Sequence, residues 1–314
     1  MKEFLKNAFQ VRNDLIGAPN GFSFELTSKK QLIDKLFVIV KKYNFLEINT
    51  PLFDFFEVYE RTLGSNVKEL FIFKDNSDFI VPRYDITTQI VRFLAPRIKS
   101  LSPPIKISYY GDVFREPEFK WHPRQIKQFG IEIIGGEGNP SEMITVLKEI
   151  LETLEEFKTL KNYKIVFNFS QVIEAIISRI NIEDQEILKH LISNKDIPSI
   201  KSIISDTKFI EDIEKLIYLS FNEDFDKIIS EINKTLNIPI SKEMEKELKT
   251  IVDNFNGAIW DPTLVSEMDY YSSFFLKVFA ENKPYPVASG GRYDRLTKKF
   301  GYNETAMGFA IDII

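Results

Sequence analysis

The chain has 314 residues, 44% of them hydrophobic and 28% charged, with a net charge of −5. That is the make-up of a soluble globular protein of one or two domains, and it disfavours general nucleic-acid binding, which rests on neutralising phosphates with Lys and Arg. With no cysteine and only His122 and His190, disulfides, thiolate catalysis and cysteine-built metal sites are excluded, and no metal or cofactor is expected.

No stretch approaches the roughly 18 apolar residues of a membrane helix. The opening MKEFLKNAFQVRNDL spreads charge along its length and lacks an apolar signal region, so a cytoplasmic protein is expected. Residues 27–43 have helical spacing. Leu32, Leu36, Ile39 and Val40 share a face, and Thr27 is placed to cap the start. Phe45, Ile48 and Leu52 then suggest a strand running into Pro51, where the chain must stay extended. Short β-type runs follow at 70–75, 79–85, 107–116 and 127–136, with a short helix in TTQIVRFLAPRI between the second and third. A helix over 140–158 starts on Pro and Ser, both suited to a first turn. YKIVFNFS at 163–170 reads as another strand.

The texture then changes. Residues 171–256 carry almost no strand signal and no glycine. Apolar residues recur at three and four in VIEAIISRI, DQEILKHLI, IEKLIYL, FDKIISEINKTL and EMEKELKTIVDNF. This segment is expected to be a helical insertion whose charges form a solvated face. Strands return in 264–282, in PYPVASGGRYDRL and in AMGFAIDII, whose apolar character suits a central strand. Hairpin-length strands with helices segregated between them favour an α+β fold on an antiparallel sheet. The sheet domain is expected to span 1–170 and 257–314.

Three constellations can carry chemistry. In PRYDITTQIVR, Asp85 ends a strand: it can receive a ligand ammonium or cap the next helix, where Thr87 and Thr88 are also candidate caps. In the hairpin over 109–135, Arg115 and Arg124 flank the loop. Gln128, Gly130 and Glu132 share a face by the period of two, with Ile131, Ile133 and Ile134 expected on the other. That polar face either lines a cleft or meets water. In DYYSSFF and ASGGRYDRL, Tyr270, Tyr271 and Tyr293 can share a pocket or a core, and Gly290 and Gly291 allow close backbone approach. The GGRYD run lacks the spacing of a phosphate loop.

Taken in order, TPLF, DVFRE…RQIKQFGIEIIG, DYY, GGRYDRL and MGFAIDI resemble the catalytic domain of histidyl-tRNA synthetase from about residue 15 onward, interrupted by the insertion. The resemblance implies the class II aminoacyl-tRNA synthetase fold, an antiparallel sheet flanked by helices. It also implies a self-association surface in the motif 1 region at 27–53. A histidine pocket would place Asp85, Gln128 and Thr87 toward the α-ammonium and Arg115 toward the carboxylate. Glu132 and Tyr271 would meet the imidazole, beside Tyr270 and Tyr293, with the Gly290–Gly291 backbone as a wall.

Three departures accompany it. Ser266 stands where the synthetases carry an arginine before Asp-Tyr-Tyr, and losing one such donor costs about 3 kcal/mol of transition-state stabilisation. Glu267 adds negative charge beside it. The sequence stops at Ile314, where the synthetases continue into an ATP-binding helix and an anticodon-binding domain. Asp85 replaces a glutamate, and the loop EPEFKWHP lacks the expected ATP-directed residues.

A paralogous family with the same fold, the regulatory subunits of ATP phosphoribosyltransferase, accommodates all three and shares the Arg83-x-Asp85-x-Thr87 context. It implies a cytoplasmic hetero-oligomer with the short catalytic subunit, activation of that partner, a part in feedback inhibition by histidine, and no tRNA or membrane partner. Two alternatives stay open at this point. One is a minimal histidine-activating enzyme drawing a cation from Lys120, Arg124 or Arg292; the other is a scaffold binding no ligand.

Overall fold

A computed structural model describes residues 26–63, 67, 69–116, 123–180, 185–220, 224–266 and 268–313. The loop readings at 117–122, including Lys120 and His122, lie outside the described residues, as do Glu267 and Ile314.

Helix α1 (Leu26–Lys42) contains Thr27 within it, so that residue does not open the helix. Leu32, Leu36, Ile39 and Val40 are buried as their spacing requires. The strand expected over 45–52 is only the two-residue β1 (Leu46–Glu47), pairing in parallel with the edge of β5. Proline at 51 offers no N–H to a ladder, and the chain resumes as β2 (Phe53–Phe55), followed by α2 (Phe56–Thr62). With β3 (Phe73–Asp75) and β4 (Asp78–Pro82), β2 forms a separate three-stranded antiparallel sheet, β2-β4-β3. Helix α3 (Ile86–Leu94) continues into a 3-10 turn at Ala95–Ser100.

The main sheet has eight strands. After the hairpin β5 (Ile105–Phe114) and β6 (Gln125–Ile134) come α4 (Ser141–Glu156) and β7 (Tyr163–Phe169). Six helices follow: α5 (Ser170–Ile177), α6 (Gln185–Ser193), α7 (Ile197–Ile203), α8 (Thr207–Leu219), α9 (Phe225–Leu236) and α10 (Lys242–Asn254). Helix α7 was not expected. Asp196 caps it and a proline sits in its first turn, where the missing N–H costs nothing. The chain closes with β8 (Ile259–Trp260), β9 (Phe274–Ala280), β10 (Ala288–Arg292), α11 (Asp294–Lys299) and β11 (Ala306–Asp312).

The strand order is β1-β5-β6-β11-β10-β9-β7-β8, antiparallel except at the two edge pairs. The apolar strand β11 lies between β6 and β10, in the middle of the sheet. Strand β9 is shorter than its apolar run suggests: 264–266 and 268–273 lie outside the ladder, and Leu264, Tyr270 and Tyr271 pack on the sheet face.

Alternation divides the sheet into two faces. Phe129, Ile131 and Ile133 of β6, Met307, Phe309 and Ile311 of β11 and Phe274, Leu276 and Val278 of β9 bury into one large core. Helices α1, α4 and the apolar sides of α5–α10 join that core. The opposite face is covered by α3, α11 and the 264–273 loop, and its packing is smaller: Ile107, Tyr109, Tyr270, Tyr271, Phe275 and Tyr293. Ile134 belongs to this second face, together with Ile126, and not with Ile131 and Ile133. Residues 126 and 134 thus bracket Gln128, Gly130 and Glu132 with apolar side chains. Among the described residues, no helix is long and apolar enough to cross a membrane.

Candidate functional site

The second sheet face has small or polar residues where three central strands meet. Across β6, β11 and β10 the register aligns Glu132 with Gly308 and Gly291, and the next row aligns Gly130, Ala310 and Ser289. A niche of about 30 Å³ opens above them, walled by Asp85, Thr87, Arg115, Gln128, Tyr270, Tyr271 and Tyr293.

Glu132 is its chemical centre. It is 1% exposed, and Thr87 Oγ1 donates to its Oε1 at 2.5 Å while the Tyr293 hydroxyl donates to Oε2. Tyr109, on the facing strand, adds a third hydroxyl to this cluster. Burial dominates and pushes the Glu132 carboxyl up to about 8, partly offset by the hydrogen bonds from Thr87, Tyr293 and Tyr109. Its space is made by Gly308: a Cβ there would fall inside the Glu132 carboxylate and against the Ile131 carbonyl. Gly308→Ala is therefore expected to cost about 1–3 kcal/mol by overpacking, seen as a lower midpoint in thermal unfolding.

Asp85 takes the capping role that the sequence offered, and leaves one oxygen over. As the N-cap of α3 it accepts from the Thr88 amide at 2.5 Å, so neither Thr87 nor Thr88 is the cap. Its other oxygen, Oδ2, is buried on the niche wall without a hydrogen-bond partner among the described residues. Burial raises the Asp85 carboxyl, against the Thr88 hydrogen bonds and the nearby Arg115. A buried carboxylate oxygen left unpaired is costly unless a donor reaches it, which suits a ligand ammonium.

The remaining expected residues divide. Gln128 lines the niche and donates to Asp312 Oδ1 at 2.9 Å. Arg115 donates to the Tyr84 carbonyl at 3.2 Å and lies over the Tyr84 ring. Tyr270 packs edge-on against Tyr293 with centroids 5.8 Å apart, and Tyr271 stacks on Phe275 at 5.7 Å. Gly291 lies behind Tyr271, close enough that a Cβ would strike its ring. Gly290 is not in the niche: it pairs with Phe309 and faces the large core. Ser289 takes the wall position instead. Arg83 is structural, its guanidinium donating to the carbonyls of Asp112 and Thr50. Tyr109, Met268, Ser289, Gly308, Phe309 and Ala310 were not singled out in the sequence. The alternation of small residues Ala306, Gly308 and Ala310 in AMGFAID was the available signal.

The insertion's charges are not all solvated. Arg292 donates to Glu243 on α10 and to Asp294, with Glu247 at 3.4 Å, so its charge is spent inside this cluster. Arg295 pairs with Glu174 of α5, and Lys189 of α6 with Asp269 at 3.5 Å. These pairs flank a groove of about 410 Å³ that shares Met268 and Tyr271 with the niche. Ser266 lines the groove, and its hydroxyl accepts from the Met268 amide at 3.0 Å. Arg124 is exposed at the foot of β6.

A family model described as Histidyl-tRNA synthetase matches residues 24–314. Histidine–tRNA ligase of Sulfurisphaera tokodaii is 28% identical over 311 residues, covering 95% of this chain and 72% of its own length. The ATP phosphoribosyltransferase regulatory subunit of Clostridium botulinum is 29% identical over 308 residues, covering 92% and 71%. In structure, an ATP phosphoribosyltransferase regulatory subunit/histidyl-tRNA synthetase from Bacillus halodurans C superposes with a TM-score of 0.79 at 22% identity, covering 96% of this chain and 81% of that one. The fold is that of the class II tRNA synthetases, and the chain belongs to the histidyl-tRNA synthetase family.

Proposed function

We propose that the chain is a non-catalytic regulatory subunit of ATP phosphoribosyltransferase, which holds histidine in the niche around Glu132 and activates a short catalytic partner. One observation carries this reading. The amino-acid niche keeps its charged and hydroxyl groups, while the adjoining wall presents Ser266 at the place of the synthetases' arginine. Of the three cations that the sequence offered as replacements, Arg292 is engaged by three carboxylates and Arg124 is exposed on the hairpin. The regulatory subunits among the relatives support the reading.

In this account the imidazole meets Glu132 and the Thr87–Tyr109–Tyr293 hydroxyls, and the α-ammonium meets Asp85 Oδ2 and Gln128. The niche as it stands has room for a water or two. Met268, a flexible thioether shared with the larger groove, is the wall that gives way on entry. Feedback inhibition follows if histidine favours the partner's less active state, since a ligand shifts an equilibrium only by its difference in affinity for the two states. The protein acts in the cytoplasm, without tRNA.

A second reading, histidine activation to an adenylate, draws on the ligases among the relatives. Two measurements on the purified chain separate them. Calorimetric titration with histidine is expected to give saturable heat below millimolar ligand. Histidine-dependent exchange of pyrophosphate into ATP is expected to be absent. No heat removes the pocket from the account, and exchange at a rate typical of a synthetase favours the second reading.

A further inference from the structure

Beside the niche lies a second cavity of about 30 Å³, lined by Arg115, Ser266, Met268, Tyr271, Phe275, Leu276, Lys277 and Ser289. Four of these, Arg115, Met268, Tyr271 and Ser289, also wall the niche, so the two spaces are neighbours in one cleft. Lys277 is a lone charge in the apolar strand FFLKVFA. Its neighbours Leu276 and Val278 bury in the large core, so alternation sends Lys277 to the site face with Phe275.

The register places it further. Lys277 is directly opposite Ser289, which is opposite Ala310, which is opposite Gly130. That row runs under the niche through Ala310 and Ser289, reaches Lys277, and continues to Val166 of β7. Glu132 sits one row over on β6, and β6 and β9 are separated by β11 and β10. Three steps of about 4.8 Å put their backbones about 14 Å apart. A glutamate and a lysine leaning toward each other across that span leave room for one amino acid, imidazole on the acid and carboxylate on the base. The two ends are electrostatically opposite: Glu132 and Asp85 at one, Arg115 and Lys277 at the other, with the hydroxyl-bearing Ser266 and Ser289 beside the cations.

We infer that Lys277, together with Arg115, receives the ligand's carboxylate and so makes the site specific for an amino acid over its carboxylate-free analogue. The inference rests on the amino-acid reading of the niche. A lysine at this place takes over, toward a carboxylate, the positive charge that Ser266 does not supply. Arg115 is shared between the cavities, whereas Lys277 lines the second and not the niche.

The test is a titration of the full-length protein with L-histidine and with L-histidinol, which keeps the imidazole and ammonium but has no carboxylate. A charge-assisted hydrogen bond is worth about 1.5–3 kcal/mol, or ten- to hundredfold in affinity. Wild type is expected to prefer histidine by about that factor. Lys277→Gln is expected to lose the preference, weakening for histidine while binding histidinol as before, which also shows that it is folded. Lys277→Arg is expected to keep most of the preference. If Lys277→Gln discriminates as well as wild type, the role of Lys277 is wrong while the niche stands. If wild type binds neither compound, the amino-acid reading falls and this inference with it.

Discussion

Replacing Glu132 by glutamine is expected to make the protein more stable at alkaline pH while costing it its ligand. The stability side follows from linkage. A glutamate in an unfolded chain titrates near 4.3, whereas Glu132 in the fold keeps its proton up to about 8. Between those values the native state holds a proton that the unfolded state has released, so stability falls as pH rises through the window, and the loss is complete above pH 8. Its ceiling is about 5 kcal/mol. Glutamine never ionises, so the variant lacks this penalty. The gap in melting temperature between variant and wild type should be small near pH 4.5 and open steadily toward pH 8.5. A gap independent of pH would mean that Glu132 is ionised throughout.

The binding side has its own pH signature. At pH 7 free Glu132 carries a proton and free imidazole, titrating near 6.5, does not. A buried site disfavours net charge, so the complex is expected to hold one proton shared between carboxyl and ring. Histidine affinity should then be level between about pH 6.5 and 8, and fall on both sides by up to tenfold per pH unit. Glutamine in place of Glu132 is expected to lose ten- to hundredfold in affinity and to lose the alkaline limb. A residue kept at a cost to stability because a ligand needs it is the signature of a functional site rather than a relic.

The second large effect is expected on self-association. The three-stranded sheet β2-β4-β3 presents Phe53, Phe55 and Phe73 outward, each about half exposed, with Phe53 and Phe73 in edge contact at 6.5 Å between centroids. The reverse side is fastened to α3 through Asp54, which accepts from Arg92 and Gln89. A rigid aromatic face turned to solvent marks an interaction surface, and if the self-association implied by the motif 1 resemblance holds, this face is where a second copy is expected. Phe53→Asp with Phe73→Asp would place like charges in a self-complementary contact. Wild type is expected to sediment as a dimer at micromolar concentration and the double variant as a monomer, with little change in helical circular dichroism. A wild-type monomer, or a dimeric double variant, would move the interface elsewhere.

What could be read in the sequence was what repeats along it. The ten-residue strands β5 and β6, α4 and, α7 apart, the helices of 170–254 announce themselves by periods of two and 3.6. The polar face of Gln128 and Glu132 was visible for the same reason. Missed features depend on which strands become neighbours. Ser289, Ala310 and Lys277 enter the site because β11 slots between β6 and β10, and no local pattern states that register. Ile134 was placed on the wrong face because three isoleucines in four residues conceal the alternation. Arg292 and Glu247 are 45 residues apart in sequence and look like ordinary surface charges until α10 packs beside β10. Gly290 and Gly291 read alike, yet alternate faces send one to the core and the other behind Tyr271.

The proposed exchange of aminoacyl chemistry for regulation is open to a mixing experiment. The purified chain is added at increasing ratio to the short-form ATP phosphoribosyltransferase from the same organism, and phosphoribosyl-ATP formation is followed with and without histidine. The account predicts a rate that climbs to saturation with the added chain, inhibition by histidine in the mixture, and weaker inhibition when Glu132→Gln replaces wild type. A rate indifferent to the chain, together with histidine-dependent pyrophosphate exchange by the chain alone, would contradict it.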